Sequence, residues 1–265
     1  MRRIRRATLP VFSILVLVYL FVPIIWIVVF SFNRPAGRQN IAWNKFTLDY
    51  WKDPFGNQPL TDAFVKSLEI AAVACIVATI MGALMALALA RYRFHGSGLV
   101  NILLVLPITM PEIVMGASLF TFFFNRNVNL GFWTVAIAHI LFCVSFVALT
   151  VKARIRGFDW TLEDASMDLG AGPLRTFSKV TFPLILPGIL AALLLSFALS
   201  IDDYIITSFV AGDSLVTFPM RIYNQARTQT PPNINVLASI ILFITLALFG
   251  YAIWRGNKKA KVLSS

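Results

Sequence analysis

Long apolar blocks with few charges are the feature of this sequence that most restricts its fold. Three of them run from Leu9 to Phe32, from Ile70 to Ala90 and from Asn235 to Trp254. Each holds about the 20 residues that an α-helix needs to cross the roughly 30 Å hydrocarbon core of a bilayer. Only 13% of the residues are charged, against about 25% in soluble domains. The sequence therefore predicts an all-α, polytopic membrane protein.

Six transmembrane helices account for the pattern and form a single predicted transmembrane domain over residues 1–265. We expect them at about 9–32, 62–90, 98–124, 131–151, 184–210 and 234–254. The first apolar run is too long for the h-region of a secretory signal, so we interpret it as a retained span. An even number of spans places both termini on the same side of the membrane.

The net charge of +11 follows from membrane topology in this interpretation, and we expect no nucleic-acid partner. Of the 23 Lys and Arg residues, 15 fall in the N-terminus, the loop near Arg91, the loop 152–180 and the C-terminal tail. Six spans place these four segments on one side, and basic loops remain in the cytoplasm. The predicted protein lies in the cytoplasmic membrane with both termini inside the cell.

The loop at 158–188 carries the clearest signals of local structure outside the membrane. Thr161 followed by Asp164 is similar to a capping box. Gly170 suits a left-handed C′ position, and Pro173 suits the first turn of a second helix. We expect two short helices within about 159–179, the first with an apolar stripe that either lies on lipid or docks into a partner.

The same loop resembles the EAA motif of the permease subunits of ABC importers. That motif reads E-A-A, then G, then I-x-L-P, and residues 163–165, 168–170 and 180–183 match its spacing. Three departures are mild: an acid replaces the second Ala, Val replaces Ile, and Phe replaces Leu. The position between the fourth and fifth of six spans strengthens the likeness.

Further segments resemble the permeases of bacterial spermidine/putrescine importers. They include "SFN" at 31–33, "LPITMPEIVMG" at 106–116, "LSIDDYIITSFVAG" at 199–212 and "INVLAS" at 234–239. The resemblance implies the type I ABC importer (MetI-like) fold in the bacterial inner membrane. It also implies a translocation subunit that moves a polyamine by alternating access.

The family resemblance further implies a set of partners. They are a homologous second permease, two cytoplasmic ATPase subunits and an extracytoplasmic solute-binding protein. The chain contains no G-x-x-x-x-G-K-[ST] phosphate loop, so we expect no ATP hydrolysis by this subunit and place ATP and Mg on the partner ATPase. By analogy with the family, the ATPase-coupling residues are Glu163, Ala165, Asp168, Leu169, Gly170 and Pro183.

Three acids inside predicted spans point to a cationic solute: Glu112, Asp202 and Asp203. A carboxylate at the bilayer centre costs about 2.5–3.5 kcal/mol on insertion scales. Counted along straight helices from the cytoplasmic ends, Glu112 is about 21 Å deep and Asp202 about 27 Å, so carboxylates on two helices could hold amines some ångströms apart.

Helical periodicity separates the two neighbouring aspartates. Ser196, Ser200, Asp203 and Thr207 form one small polar stripe, so the pattern favours Asp203 as the pathway-facing acid. Aromatic faces could add cation–π contacts. The candidate pathway residues are therefore Glu112, Asp202, Asp203, Ser200, Thr207, Trp133 and Tyr204.

Structural alternatives stay open at this stage. Glu112 follows Pro111 and could mark a helix restart in a span that Pro107 and Pro111 interrupt. The aspartates could instead pair with the second permease, and the aromatics could belong to the interfacial belt. His139 stands alone in span four, so we expect no metal site.

Functional alternatives also stay open. One is an ABC permease for another small solute, such as iron or thiamine. A less favoured one is a proton-relaying subunit of a membrane complex, which predicts a chain of acids or His pairs that the sequence lacks.

Overall fold

The computed structural model describes residues 2–92, 94–226 and 228–263, with side chains described at 10–92, 94–226, 228–247 and 250–251. The chain packs as two compact units, residues 1–61 with 222–248 and residues 62–221 with 249–265. The prediction of one permease domain stays a prediction. The basic residues of both termini, on which the topology argument partly depends, lie outside the described side chains.

The first unit combines two long helices with a short surface segment. Helix α1 (Arg2–Phe30) leads into strands β1 (Asn33–Arg34) and β2 (Lys45–Phe46), which pair antiparallel, and then into helix α2 (Asp49–Lys52). Asn33 fixes this segment, because its buried amide donates to Asn40 Oδ1 at 2.7 Å and to the Ala42 carbonyl at 2.8 Å. Helix α12 (Pro232–Leu263) follows later in the chain.

The second unit contains the remaining helices, which are connected in sequence order. They are α3 (Gln58–Arg91), α4 (Ser97–Thr109), α5 (Glu112–Asn125), α6 (Phe132–Ile155), α7 (Thr161–Asp168), α8 (Pro173–Thr176), α9 (Phe182–Asp202), α10 (Ile205–Val210) and α11 (Phe218–Ala226), of which α3 and α11 extend across the unit boundaries. A π-helical turn, Phe177–Thr181, joins α8 to α9 without a break.

Helix α6 is the central helix of this unit and packs against α4, α5, α9 and α10. Its inward face includes Val135, Ala138, Val147 and Ala148, all fully buried. Small residues let neighbouring helices approach closely, as membrane helix packing requires. At Gly82 of α3, for example, an added Cβ would lie only 2.7 Å from a Val147 side-chain carbon.

The predicted spans agree with the helices in most places. Four described helices are long and apolar enough to cross a membrane: Pro10–Phe30, Gln58–Arg91, Phe132–Ile155 and Pro173–Asp202. The bent pair α4 and α5 makes a fifth if it is taken as one span. The predicted sixth span lies in α12, of which the segment with described side chains, Pro232–Ala247, is apolar but too short to cross a membrane by itself, so the count of six stays a prediction.

Two spans predicted as continuous are broken. The third bends by 109° between α4 and α5, which invalidates the straight-helix depth calculated for Glu112. The fifth stops at Asp202 and resumes at Ile205 as α10. Both breaks place an acid at a helix end.

Candidate substrate pathway and coupling surface

Proline causes the break that exposes Glu112. Met110 is extended, with ψ of 138°, as expected for a residue that precedes proline. Pro111 has no N–H to continue the α4 ladder, so the helix restarts with Glu112 as the first residue of α5. The helix-restart alternative is therefore correct as geometry. It does not compete with a pathway role, because the Glu112 side chain is exposed.

Asp202 occupies the equivalent place at the end of α9. It is the last helical residue, and its side chain is exposed, although its neighbours Ile201 and Asp203 direct theirs inward. Helix α10 then begins at Ile205.

A close helix contact brings the two exposed acids to one region. Helix α5 packs directly on α10, and at Gly116 an added Cβ would lie 2.6 Å from the ring of Phe209. Glu112 is one turn before Gly116, and Asp202 is just before α10. Asp203 and, more weakly, Glu112 contribute to the electrostatic field at Asp202. The structure therefore places acidic groups at two adjoining helix breaks.

The polar stripe faces α6 in this structure, and the assignment of Asp203 as the pathway-facing acid stays a prediction. Ser200 and Thr207 are buried, and the Asp203 side chain is only 6% exposed. The stripe packs against α6, where the small and polar groups find hydrogen-bond partners. Periodicity identified a shared face, but it did not indicate whether that face meets a lumen or a neighbouring helix.

The partner that sequence reasoning set aside is His139 of α6. Its Nδ1 lies 2.7 Å from Ser200 Oγ, and its Nε2 lies 2.9 Å from Thr207 Oγ1 and 3.3 Å from Asp203 Oδ2. Residues 131–151 contain only this one residue of the Asp, Glu, His, Lys and Arg types. A lone ionisable residue in one span and a polar stripe in another could have predicted the pairing. Among the described residues, no group of three or more His, Cys, Asp or Glu has metal-binding geometry.

The two candidate aromatics differ in setting. Trp133 lies in the first turn of α6 with its ring exposed, and it packs edge-on against Phe132 at 5.3 Å. Tyr204 lies in the break between α9 and α10 and is half-buried. Of the two, only Tyr204 is adjacent in sequence to the acidic cluster.

The loop after α6 forms the predicted first short helix, with a different N-terminus. Asp159 rather than Thr161 caps α7, because Asp159 Oδ1 accepts from the Thr161 amide at 3.1 Å and its hydroxyl at 2.7 Å. The predicted capping box of Thr161 and Asp164 is therefore wrong. The predicted C-terminus is confirmed: Gly170 has φ of +84°. The Ala171 amide donates to Ser166 O, and the Gly170 amide to Met167 O, which is a Schellman motif.

The second predicted short helix begins at Pro173 as expected, but it is not separate. Helix α8 continues through the π-helical turn into α9, and Pro183 lies in the first turn of α9. A proline there has no amide to donate backward. The π-helical turn just before it is a rare element that occurs mostly as a single turn within α-helices.

Glu163 points into the protein and fixes α7 in place. Its carboxylate is 2.8 Å from Arg91 Nη1, at the end of α3, and accepts a hydrogen bond from the Thr181 hydroxyl. Arg91 also lies over the Trp160 ring at 5.8 Å. The acid of the motif therefore joins α7 to α3 and to the approach of α9.

The opposite surface of this loop is exposed and carries two protruding leucines. Leu169 is 89% exposed and Leu174 is 86% exposed, and Ala165, Asp168 and Gly170 are exposed beside them. A short, firmly anchored helix with protruding leucines is suited to inserting into a groove on another protein.

A polytopic helical protein with acids at broken spans and an anchored loop helix has the features of a membrane transporter. Residues 78–256 match the model of the binding-protein-dependent transport system inner membrane component family. The chain belongs to this family, and it is a multi-pass inner-membrane permease of the ABC importer class. The resemblance that the motifs predicted is thereby confirmed.

Several relatives support this assignment. The spermidine/putrescine transport system permease protein PotC of Haemophilus influenzae is 39% identical over 89% of this chain and 91% of that protein. The putrescine transport system permease protein PotI of Escherichia coli K12 is 34% identical over 89% of this chain and 85% of that protein.

Solved structures support the fold. A chain of a bacterial ABC transporter involved in the import of the acidic polysaccharide alginate aligns with a TM-score of 0.68 and 15% identity, over 97% of this chain and 98% of that chain. A chain of an amino acid ABC transporter crystallised with histidines aligns with a TM-score of 0.59 and 18% identity, over 80% of this chain and 100% of that chain.

Proposed function

We propose that this chain is a translocation subunit of an ATP-driven importer that carries a polyamine, spermidine or putrescine, across the inner membrane. The observation that supports it most directly is the pair of exposed acids at adjoining helix breaks, Glu112 and Asp202. The names of the PotC and PotI relatives point to the same class of solute.

The energetics favour a cation at this position. Two carboxylates near one another within a membrane domain repel each other, and each is costly to hold away from water. An extended cation with separated ammonium groups would neutralise both at once. An anionic solute would meet repulsion here, so the alginate transporter serves as a fold relative only. Broken helices that line a solute site are a recurrent arrangement in transporters.

The exposed surface of α7, the turn at residues 169–172 and the start of α8 is the proposed docking surface for a cytoplasmic ATPase. Leu169 and Leu174 would enter the partner's groove, and the Arg91–Glu163 ion pair would pass its movement to α3 and α9. In the same proposal ATP and Mg belong to two ATPase subunits, and a second permease and an external solute-binding protein complete the importer. Both termini would be cytoplasmic.

Uptake measurements test the acid assignment. The complete importer in proteoliposomes, with its binding protein and internal ATP, should take up radiolabelled spermidine. Glu112→Gln and Asp202→Asn should each raise the KM by about tenfold or more, because one charge-assisted contact is worth roughly 1.5–3 kcal/mol. Asp213→Asn is the matched control, since Asp213 is an exposed acid in the loop that follows α10.

The outcome is decisive in either direction. Unchanged KM values in both acid variants, at equal protein levels, would remove the acids from the pathway. If the importer carries an unrelated cation and not polyamines, and both acid variants raise the KM for that cation, the proposed substrate class is wrong and the proposed site is correct.

A further inference from the structure

Neither glycine nor proline causes the helix break at residues 203–204. Between Ile189 and Ala211 there is neither a glycine nor a proline. Sharp breaks otherwise arise where a side chain inserts into the backbone hydrogen-bond ladder. Here Asp203 is extended, with φ of −64° and ψ of 122°, and its carboxylate accepts from the amides of Ile206 at 3.3 Å and Thr207 at 2.8 Å. The break therefore depends on where the Asp203 carboxylate is held.

His139 holds that carboxylate. The Thr207 hydroxyl donates to Asp203 Oδ2 at 2.6 Å, so its oxygen is free to accept from the ring. His139 Nε2 thus faces two acceptors, the Thr207 oxygen at 2.9 Å and the carboxylate at 3.3 Å. Because both groups that face Nε2 accept hydrogen bonds, we assign the ring hydrogen to Nε2. Ser200 Oγ at 2.7 Å from Nδ1 fixes the other side of the ring.

The arrangement determines the direction of Asp202. Without His139, the buried Asp203 carboxylate would keep bonds only to its own segment, at Ile206 and Thr207. It would then leave the core, or α9 would continue through the break. Neighbouring residues of a helix point about 100° apart, so either change redirects the Asp202 side chain. We propose that His139 is a positioning residue: it retains Asp203 in the core and thereby presents Asp202 to the solute pathway. The role of Asp202 in this inference rests on the proposed function.

Cysteine accessibility tests the positioning without requiring transport. With Cys75 and Cys143 replaced by Ala, the Asp202→Cys variant carries a single thiol at position 202. In the assembled importer this thiol should react readily with a water-soluble methanethiosulfonate. Adding His139→Leu should slow the reaction at least tenfold. Adding Asp203→Asn as well should restore it, because the buried charge that lost its contact with α6 is gone and an amide oxygen still accepts from the backbone.

A matched control separates positioning from general packing. Thr134 of α6 is also buried, and its hydroxyl donates to the Val210 carbonyl at the far end of α10, at 2.7 Å. Thr134→Val should leave the reaction rate at position 202 unchanged. If Thr134→Val slows the reaction as much as His139→Leu, or if Asp203→Asn does not restore it, His139 only fills space and the inference is wrong.

Uptake links the positioning to function. With Asp202 intact, His139→Leu should raise the spermidine KM about tenfold, equivalent to about 1.4 kcal/mol, with little change in the rate at saturation. His139→Gln should keep most of the affinity, because its amide supplies a donor in place of Nε2–H. Slower labelling with unchanged uptake would support the positioning and refute the pathway role of Asp202. Unchanged labelling would refute the positioning itself.

Discussion

The Arg91–Glu163 ion pair should show unequal costs when its two members are removed. The Glu163 side chain is 4% exposed and that of Arg91 is 42% exposed. Arg91→Ala therefore leaves a buried carboxylate with only the Thr181 hydroxyl, and breaking a buried pair in this way costs about 3–5 kcal/mol. Glu163→Gln leaves a guanidinium that water can reach, so we expect a cost of about 1–2 kcal/mol.

Hydrogen–deuterium exchange of α7 amides measures this difference. Arg91→Ala should speed exchange in Thr161–Asp168 by about two to three decades, since each 1.4 kcal/mol of local opening is a factor of ten. Glu163→Gln should speed it by about one decade. The double variant should exchange more slowly than Arg91→Ala alone, because no buried charge is left. Equal effects of the two single variants, or an additive double variant, would refute the asymmetric pair.

Two further predictions concern helix packing and docking. Gly116→Ala should impair uptake, because the added methyl would lie 2.6 Å from Phe209 and push α5 away from α10. Gly98→Ala, with open space around it, should not impair uptake. Radiolabelled uptake at equal membrane levels compares the two variants, and equal uptake would contradict the close contact. Leu174→Asp should weaken co-purification of the ATPase without reducing membrane insertion. Leu99→Asn, at another exposed position, should leave co-purification intact. Retained ATPase binding by the Leu174 variant would exclude this docking surface.

Local signals predicted local structure well. The apolar blocks located most spans, because membrane helices must be long and apolar. The turn at Gly170 and the start at Pro173 were predictable because few residues adopt a left-handed C′ conformation or suit the first helical turn. The motif of residues 163–183 also predicted the family correctly.

Features that depend on contacts between helices were not predictable in the same way. A polar stripe indicates that one face is special, but water, a lumen and a neighbouring helix all satisfy polar groups. At the break after Asp202, the Asp203 carboxylate accepts from the amides of Ile206 and Thr207 and also meets a histidine 64 residues earlier. No local signal encodes the contact with that histidine. Glu163 likewise reads as an exposed residue of a loop helix, whereas its ion pair with Arg91 buries it.

The two adjacent aspartates should differ in how far they tolerate a change to glutamate, which conserves the charge. Asp202 is exposed, so Asp202→Glu keeps a carboxylate that is free to meet a cation, and uptake should fall less than about tenfold. Asp203 is buried and fitted to two amides, a hydroxyl and an imidazole, so Asp203→Glu adds a methylene where overpacking costs about 1–3 kcal/mol and misplaces the acceptor. Uptake by matched amounts of each variant distinguishes them. Normal uptake by Asp203→Glu together with no uptake by Asp202→Glu would reverse the two roles. In that case the buried site would need only a negative charge, and the exposed site would need a carboxylate at an exact position.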